Sequence, residues 1–302
     1  MVSAEIRTTL DGVIVIDKPE GWTSHDVVNK VRHIVRTKKV GHLGTLDPIA
    51  TGVLPMVIER ATRLAQFYTR SDKIYEGVVR FGWSTASYDR AGEPTSEKVE
   101  VHLTAAELEA ALEPFRGEIA QRPPAVSAKK VEGRRAYELA RKNIAVELAP
   151  VQIHVYELTL LGMSDHEARL RVHCSGGAYM RSIAHDLGQA LGCGAHLTEL
   201  RRLASGEFEI DQARTLEQLA ALAAEGRLID AFVPPEKLLP GFPNVYVDEL
   251  TAAQVRNGRN FPASPFRTGP PAKYVKAVTR TGDLVAVGEA VLPNLYHPVV
   301  VL

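Results

Sequence analysis

The sequence predicts an α+β protein with a small β-rich module at its C-terminal end. Apolar and polar residues alternate through Val151–Met163 and again through Glu167–Ser175, with a short turn between the two runs. Such alternation is typical of an antiparallel hairpin with one buried face. Residues with helical spacing follow the potential caps Ser24 and Thr104. Short strands and one helix after residue 243 predict a β-barrel-like module, so we place a domain boundary there.

The remaining elements follow from local patterns. The apolar run Val13–Asp17 predicts a buried strand, and Ile74–Trp83 is rich in β-branched and aromatic residues, which favours a second strand. In chain order we expect a strand at Val13–Asp17, a helix after Ser24, a strand at Ile74–Trp83, a helix after Thr104, an extended excursion at 121–150, the hairpin, a helix carrying Ile183, Leu187 and Leu191, a helix at Thr215–Glu225, and, in the module, strands at Val245–Val247, Tyr274–Val278, Leu284–Val287 and Pro298–Leu302 with a helix at Thr251–Asn257.

Composition narrows the class of protein. The chain has 302 residues, of which 45% are hydrophobic and 24% charged, as in globular proteins with a substantial core. No segment resembles a signal peptide or a membrane span. The two cysteines, Cys174 and Cys193, form no CxxC pair. We therefore expect a cytoplasmic protein of two domains, 1–243 and 244–302, without a metal site.

The charges are segregated although the formal net charge is zero. Arg116–Lys142 contains eight basic residues against three glutamates, and Leu250–Gly282 contains six basic residues and no acid. Two basic faces of this kind can neutralise phosphates, which favours a nucleic-acid partner. The alternative is a pair of solvated surfaces without a partner.

One stretch, Lys38–Pro55, carries the candidate chemistry. It contains three glycines, two prolines and a single acid, Asp47, and we expect it to form a loop. Pro48 restricts the backbone of Asp47, while Gly44 and Gly52 permit close approach of the main chain to a ligand. Asp47 is either part of an ordinary Asp-Pro turn or a buried carboxylate that performs chemistry.

Several common catalytic motifs are missing. The chain has no GxxxxGK[ST], no GxGxxG that opens a βαβ unit, no HExxH and no GxSxG. Arg181 lies in the predicted first turn of a helix, where a positive charge opposes the helix dipole, so we expect it to pair with an anion. One carboxylate, one such arginine and basic faces suit a reaction on a polyanion.

Four groups of residues resemble the TruB family of pseudouridine synthases, whose members make pseudouridine at position 55 in the T-loop of tRNA. They are Lys18-Pro-Glu-Gly-Trp-Thr-Ser24, the Gly41–Pro55 segment with GTLDPIATGVLP, Lys73-Ile-Tyr75, and Tyr179-Met-Arg181-Ser. The resemblance covers essentially the whole chain. It implies a mixed, largely antiparallel sheet flanked by helices, an RNA-gripping thumb insertion at about 121–150, and a PUA-type RNA-binding domain at the C-terminal end.

The resemblance also implies roles for individual residues. Asp47 matches the catalytic aspartate, Arg181 its arginine partner, and Tyr75 the tyrosine that packs on the target base. Residues that contact the flipped nucleotide or its RNA correspond to His42, Tyr179 and Leu200. The charge of the thumb-like stretch predicts phosphate contacts by Lys129, Lys130, Arg134 and Arg135. Core packing of Tyr75 and Leu200, and a simple loop hydrogen bond for His42, remain alternatives.

The implied reaction is an isomerisation, which needs no cofactor. Asp47 either attacks C1′ of the ribose or removes the C2′ proton, and the sequence leaves both routes open. We expect a monomer that acts on tRNA without a partner protein. The competing hypotheses are a non-catalytic RNA-binding or RNA-folding protein and a guide-RNA-dependent relative in a multiprotein complex; the thumb-like stretch favours the stand-alone enzyme.

Overall fold

The structure is a computed structural model that describes residues 10–124, 148–263 and 272–302, together with the backbone of 130–131 and 134–135. Within these residues no helix is both long and apolar enough to cross a membrane. The strands are β1 (Gly12–Lys18), β2 (Val40–His42), β3 (Ala50–Ile58), β4 (Lys73–Phe81), β5 (Gly117–Gln121), β6 (Lys130–Val131), β7 (Arg134–Arg135), β8 (Val151–Met163), β9 (Glu167–Cys174), β10 (Ala195–Ser205), β11 (Phe208–Glu209), β12 (Phe232–Val233), β13 (Asn244–Val247), β14 (Phe261–Pro262), β15 (Tyr274–Thr279), β16 (Leu284–Leu292) and β17 (Leu295–Val301).

The α-helices are α1 (Ser24–Val35), α2 (Ala105–Leu112), α3 (Met180–Ala190), α4 (Leu216–Ala224) and α5 (Glu249–Arg256), and 3-10 helices span Glu59–Tyr68, Glu113–Phe115, Ile210–Gln212, Leu228–Ala231 and Pro235–Lys237. Ten strands form one sheet in the order β12-β1-β3-β10-β4-β9-β8-β5, with β2 added to β3 and β11 to β10. Of its strand pairs, only β3–β10 is parallel. The expected mixed, largely antiparallel sheet with flanking helices is confirmed.

Strand β1 explains how the sheet is covered, because it is buried on both faces. Ile14 and Ile16 pack in the apolar cluster that includes residues of α1, α2, α3 and α4. Val13 and Val15 pack on the opposite face, against the 3-10 helix Glu59–Tyr68 and side chains of the C-terminal sheet. A continuous apolar run is the sequence signature of such a strand.

The C-terminal sheet has the order β13-β15-β16-β17-β14 and its own apolar core, which includes Val255 of α5 and Phe261. Its other face contributes Val287 and Val300 to the cluster beside β1. Lys276, counted above with the basic face, is 4% exposed and donates hydrogen bonds to the Leu238 carbonyl, so it does not belong to that face.

Two local predictions were wrong. The cap of α1 is Thr23, which forms a capping box with Asp26, and not Ser24. The Lys38–Pro55 segment is also not all loop, because β2 and the first part of β3 lie within it. Proline has no N–H, and it is tolerated in this inner strand because it lies where one side of β3 changes its partner. On that side β3 pairs with β10 before Pro55 and with β2 after it. The Pro55 carbonyl accepts a hydrogen bond from Leu43 N.

The glycine in β3 makes room for protein and not for a ligand. Gly52 has φ +97°, and a Cβ there would lie 2.2 Å from the Arg202 carbonyl oxygen of β10. The close approach of β3 and β10 therefore depends on this residue. Gly117 has a comparable φ of +80° with nothing within 4 Å of its Cβ position.

We therefore predict that Gly52→Ala destabilises the protein more than Gly117→Ala. The left-handed backbone alone costs about 1–2 kcal/mol in each variant. Overpacking against β10 adds roughly 1–3 kcal/mol at Gly52 only. Urea unfolding of both variants measures the difference, and equal losses would contradict the described packing of β3 on β10.

Candidate active site

The loop between β2 and β3 is held from two sides by polar side chains of other elements. The Ser24 hydroxyl at the start of α1 accepts a hydrogen bond from Leu46 N at 2.8 Å and donates one to the Leu46 carbonyl at 3.1 Å. Lys18, which is fully buried at the end of β1, donates to the Pro48 carbonyl at 3.4 Å. The residue between these two contact points is Asp47, so its backbone is fixed on both sides.

Arg202 of β10 supports the same loop from inside the protein. Its guanidinium is fully buried and donates to the Val53 carbonyl at 2.7 Å and the Gly44 carbonyl at 3.0 Å. The Tyr75 hydroxyl is a third hydrogen-bond partner. A buried guanidinium requires acceptors for its N–H groups, and here the acceptors lie in β3, the loop and β4. Arg202 therefore ties the loop to the sheet.

Asp47 forms a two-pronged ion pair with Arg181 in the first turn of α3. Arg181 Nε lies 2.9 Å from Asp47 Oδ2, and Nη2 donates to Asp47 Oδ1 at 3.0 Å. Paired N–H groups that face two carboxylate oxygens fix direction as well as distance. The sequence-based expectation that Arg181 pairs with an anion is met by this carboxylate.

A second carboxylate lies on the other side of the Arg181 guanidinium. Nη1 donates to the Ser87 carbonyl at 3.1 Å and lies 3.7 Å from Oδ2 of Asp89, which is buried. Asp89 Oδ1 accepts a hydrogen bond from the Ser87 hydroxyl at 2.5 Å. Arg181 is therefore placed between two acids, and its side chain is 5% exposed.

Burial sets the direction of the pKa shifts at the site. Burial raises the pKa of the Asp47 carboxyl, the Asp89 charge adds to the rise, and the Arg181 guanidinium opposes it. Burial also raises the pKa of the Tyr75 hydroxyl and lowers the pKa of Lys73 to about 8. The Asp47 side chain is still 35% exposed, so a substrate can reach it.

These groups line a cavity of about 260 Å³. Five residues predicted from the sequence lie together in its wall: Asp47, Tyr75, Tyr179, Arg181 and Leu200. The other lining residues are Gly44, Thr45, Leu46, Thr69, Lys73, Gly177, Ala178, Met180 and Arg202. Tyr75 and Leu200 also belong to the apolar core, so packing and cavity lining are both served by the same side chains. The Tyr179 backbone is held by the Gln121 amide, which donates to its carbonyl at 2.9 Å and accepts from its N–H at 2.7 Å.

Other predicted residues lie elsewhere. His42 ends β2 and is not among the residues that line the cavity; burial and the Arg202 charge lower its pKa. Lys130, Arg134 and Arg135 lie on the short antiparallel pair β6–β7, of which the backbone is described. Lys129 lies outside the described residues.

Sequence reasoning missed three charged residues of this site. Arg202 could have been found, because alternation along β10 places it on the same face as Leu200, two residues earlier. Lys73 was visible only as a basic neighbour of Tyr75. Asp89 gave no signal, because it is one acid in an acidic segment and its approach to Arg181 depends on tertiary structure.

The arrangement suits chemistry by a carboxylate. A side chain that is fixed, ionisable and accessible from a cavity can act as a nucleophile or as a base. In the described part of the chain no three His, Cys, Asp or Glu side chains cluster as metal ligands would. The cationic wall of Arg181, Arg202 and Lys73 favours an anionic substrate.

Comparison with known proteins gives consistent matches. Residues 32–180 match the family model for the TruB family pseudouridylate synthase N-terminal domain, and residues 181–239 match that for the tRNA pseudouridylate synthase B C-terminal domain. The chain is 82% identical over 293 residues to the tRNA pseudouridine synthase B of Solibacter usitatus, covering 97% of this chain and 100% of that protein.

Two solved structures share the fold. A Cbf5-Nop10-Gar1 complex contains a chain 30% identical to this one with a TM-score of 0.70, covering 94% of this chain and 79% of that one. An H/ACA RNP bound to a substrate RNA containing 2′-deoxyuridine gives 27% identity and a TM-score of 0.71, covering 96% and 84%. With an 82% identical relative matched along its whole length, the chain belongs to the TruB family of tRNA pseudouridine synthases.

Proposed function

We propose that this protein converts a uridine of tRNA to pseudouridine, at position 55 in the T-loop, with Asp47 as the catalytic carboxylate. The observation that carries the proposal is the Asp47–Arg181 ion pair at a cavity also lined by Tyr75 and Leu200. The relatives named tRNA pseudouridine synthase B support the reaction and the tRNA substrate.

The reaction breaks the bond between N1 of uracil and C1′ of ribose, turns the base, and joins C5 to C1′. No cofactor is consumed. The target uridine first leaves its stack, at a cost on the order of a few kcal/mol. Asp47 then either attacks C1′ or removes the C2′ proton, and both routes need an ionised carboxylate that the ribose can reach.

Arg181 aims this carboxylate and stabilises its charge. The paired N–H groups occupy one side of Asp47, which directs the free side toward the cavity. Tyr75 forms part of the wall and can stack on the detached uracil. Burial raises the pKa of its hydroxyl, which also accepts a hydrogen bond from Arg202.

The basic surfaces hold the RNA by phosphate and shape contacts. We assign residues 1–243 to a catalytic domain with the thumb insertion at 121–150, and residues 244–302 to a PUA-like domain. The separate apolar core of the C-terminal sheet supports this division. Arg256, Arg259 and Arg280 are exposed there and available to phosphates.

The proposed enzyme works as a cytoplasmic monomer without an obligatory partner protein. The related chains of known structure come from complexes with other proteins or with RNA. The long basic stretch at 121–150 supports a stand-alone enzyme, because it provides RNA contacts that a guide RNA and partner proteins would otherwise supply.

Asp47→Asn is predicted to abolish turnover. The amide is isosteric but is neither a nucleophile nor a base, so the rate falls at least about 100-fold. The measurement is tritium release from C5-labelled uridine in a T-stem-loop transcript. The matched control Asp230→Asn removes a surface carboxylate that pairs with Arg227 and is expected to release tritium like the wild type. Release by neither protein would favour a non-catalytic RNA-binding protein, and equal release by both would show catalysis that does not use Asp47.

The pH dependence follows from the raised pKa of Asp47. The carboxylate is the active form, so kcat/KM falls as pH falls through a pKa above the ordinary 3.8. Arg181→Gln removes the group that opposes the rise, so the acid limb moves to higher pH. Arg201→Gln, which removes a surface arginine paired with Asp17 at 2.8 Å, is the control and leaves the limb unmoved. An acid limb that stays in place in Arg181→Gln would contradict the assigned pairing.

Replacing Lys129, Lys130, Arg134 and Arg135 by glutamine is predicted to weaken tRNA binding and flatten its salt dependence. Each lost phosphate contact reduces the slope of log K against log salt by about 0.7–0.9. The control replaces Arg80, Arg169, Arg171 and Arg227, four exposed or half-exposed arginines that already pair with carboxylates. A slope unchanged in the first variant would remove these residues from the RNA interface.

A further inference from the structure

Tyr88 has an unusual backbone for its residue type. Its φ is +63°, in the left-handed region that favours glycine. It lies at the centre of a turn, Ser87–Asp89, whose two outer residues contact Arg181. Strained backbone conformations persist only where the surroundings enforce them, and they are common at functional sites.

Besides backbone hydrogen bonds to Thr85 and Leu197, the turn has a ring stack on α3. The rings of Tyr88 and His185 are nearly parallel, at 10°, with centroids 3.7 Å apart. His185 follows Arg181 by four residues, so both side chains lie on one face of the helix. The Ser87–Asp89 turn is therefore held on two successive helical turns, by hydrogen bond and charge at Arg181 and by ring contact at His185.

The chemistry of the pair fits a permanent contact. Burial lowers the pKa of His185, which keeps the imidazole neutral and favours stacking on another ring. The charged groups near the Tyr88 hydroxyl are Asp186 and Arg122. On its backbone side, the Tyr88 carbonyl accepts a hydrogen bond from Leu197 N at 3.0 Å, which joins the turn to β10.

We propose that Tyr88, stacked on His185, is a positioning residue for the reaction: it holds the Ser87–Asp89 turn against Arg181 and thereby fixes the direction and charge of Asp47. The inference rests on the proposed function, because it concerns the same carboxylate. Without the stack the turn moves away from α3, and Arg181 Nη1 loses its contacts with the Ser87 carbonyl and the Asp89 carboxylate.

Tyr88→Gly separates this role from simple packing. Glycine adopts φ +63° without strain, so the variant removes the ring contact with His185 without adding backbone strain, and a displaced turn then reports the lost stack. We expect single-turnover tritium release to slow by about 10- to 100-fold, as for small misplacements at catalytic groups, with tRNA affinity unchanged. We also expect the acid limb of the pH profile to shift. The charged groups that face Asp47 are Arg181, Asp89 and Lys18. Of these, Arg181 contacts the turn and Asp89 belongs to it.

Further variants keep the test decisive if Tyr88→Gly does not fold. His185→Leu removes the second ring while leaving the turn sequence intact, and it is expected to show the same slowing and the same shift. Tyr88→Phe retains the ring and should restore most of the rate. Tyr156→Ala is the control, because it removes another tyrosine packed on histidines, 4.6 and 4.8 Å away, on a strand that does not line the cavity.

The outcomes distinguish the two proposals. If the wild type releases no tritium, the proposed function fails. If the wild type is active and both Tyr88→Gly and His185→Leu retain its rate and its acid limb, the function stands and the positioning role is refuted. Slowing with an unmoved acid limb would also refute it, since a merely structural residue gives that result.

Discussion

A nearly buried guanidinium determines much of the architecture around the cavity. A charge removed from water requires partners, and breaking such a pair typically costs about 3–5 kcal/mol. Arg181 has Asp47 on one edge and Ser87 and Asp89 on the other. Burial raises the pKa of the Asp47 carboxyl, the Asp89 charge adds to the rise, and the charges of Arg181 and Lys18 oppose it. The same pairing that holds Arg181 in the fold thus also affects the protonation of Asp47.

The fold brings these groups together through the parallel strand pair β3–β10 of the large sheet. β10 runs beside β3 with Leu200–Arg202 opposite Ala50–Gly52, directly after the loop between β2 and β3 that carries Asp47. Arg202 can then reach back to the loop carbonyls, and Gly52 provides the space for its backbone. A substitution that disturbs this crossing would affect stability and loop position together.

The sequence predicted those features that depend on local pattern. The cap at Thr104, the helix after Thr215, the β8–β9 hairpin and the apolar run of β1 all follow from short-range physical rules. The prediction for Lys38–Pro55 was partly wrong because proline and glycine oppose strand formation locally, whereas neighbouring strands provide the pairing that makes β3 possible.

The site was predicted unevenly for the same reason. Asp47 and Arg181 were found through motif resemblance and unusual placement at a helix start. Asp89 and Tyr88 come close to Arg181 only through a turn that packs on α3, and no sequence spacing encodes that contact. Ser24 was expected to cap a helix, but its hydroxyl instead forms hydrogen bonds with the Leu46 backbone in the loop that carries Asp47.

The structure of this protein bound to a T-stem-loop RNA tests the role of Asp47 most directly. We expect the target uridine to be flipped into the cavity, with its base stacked on Tyr75 and its ribose C1′ or C2′ within about 3–3.5 Å of an Asp47 carboxylate oxygen. A uridine that remains stacked in the RNA, or a ribose turned away from Asp47 with the Arg181 pair intact, would contradict it.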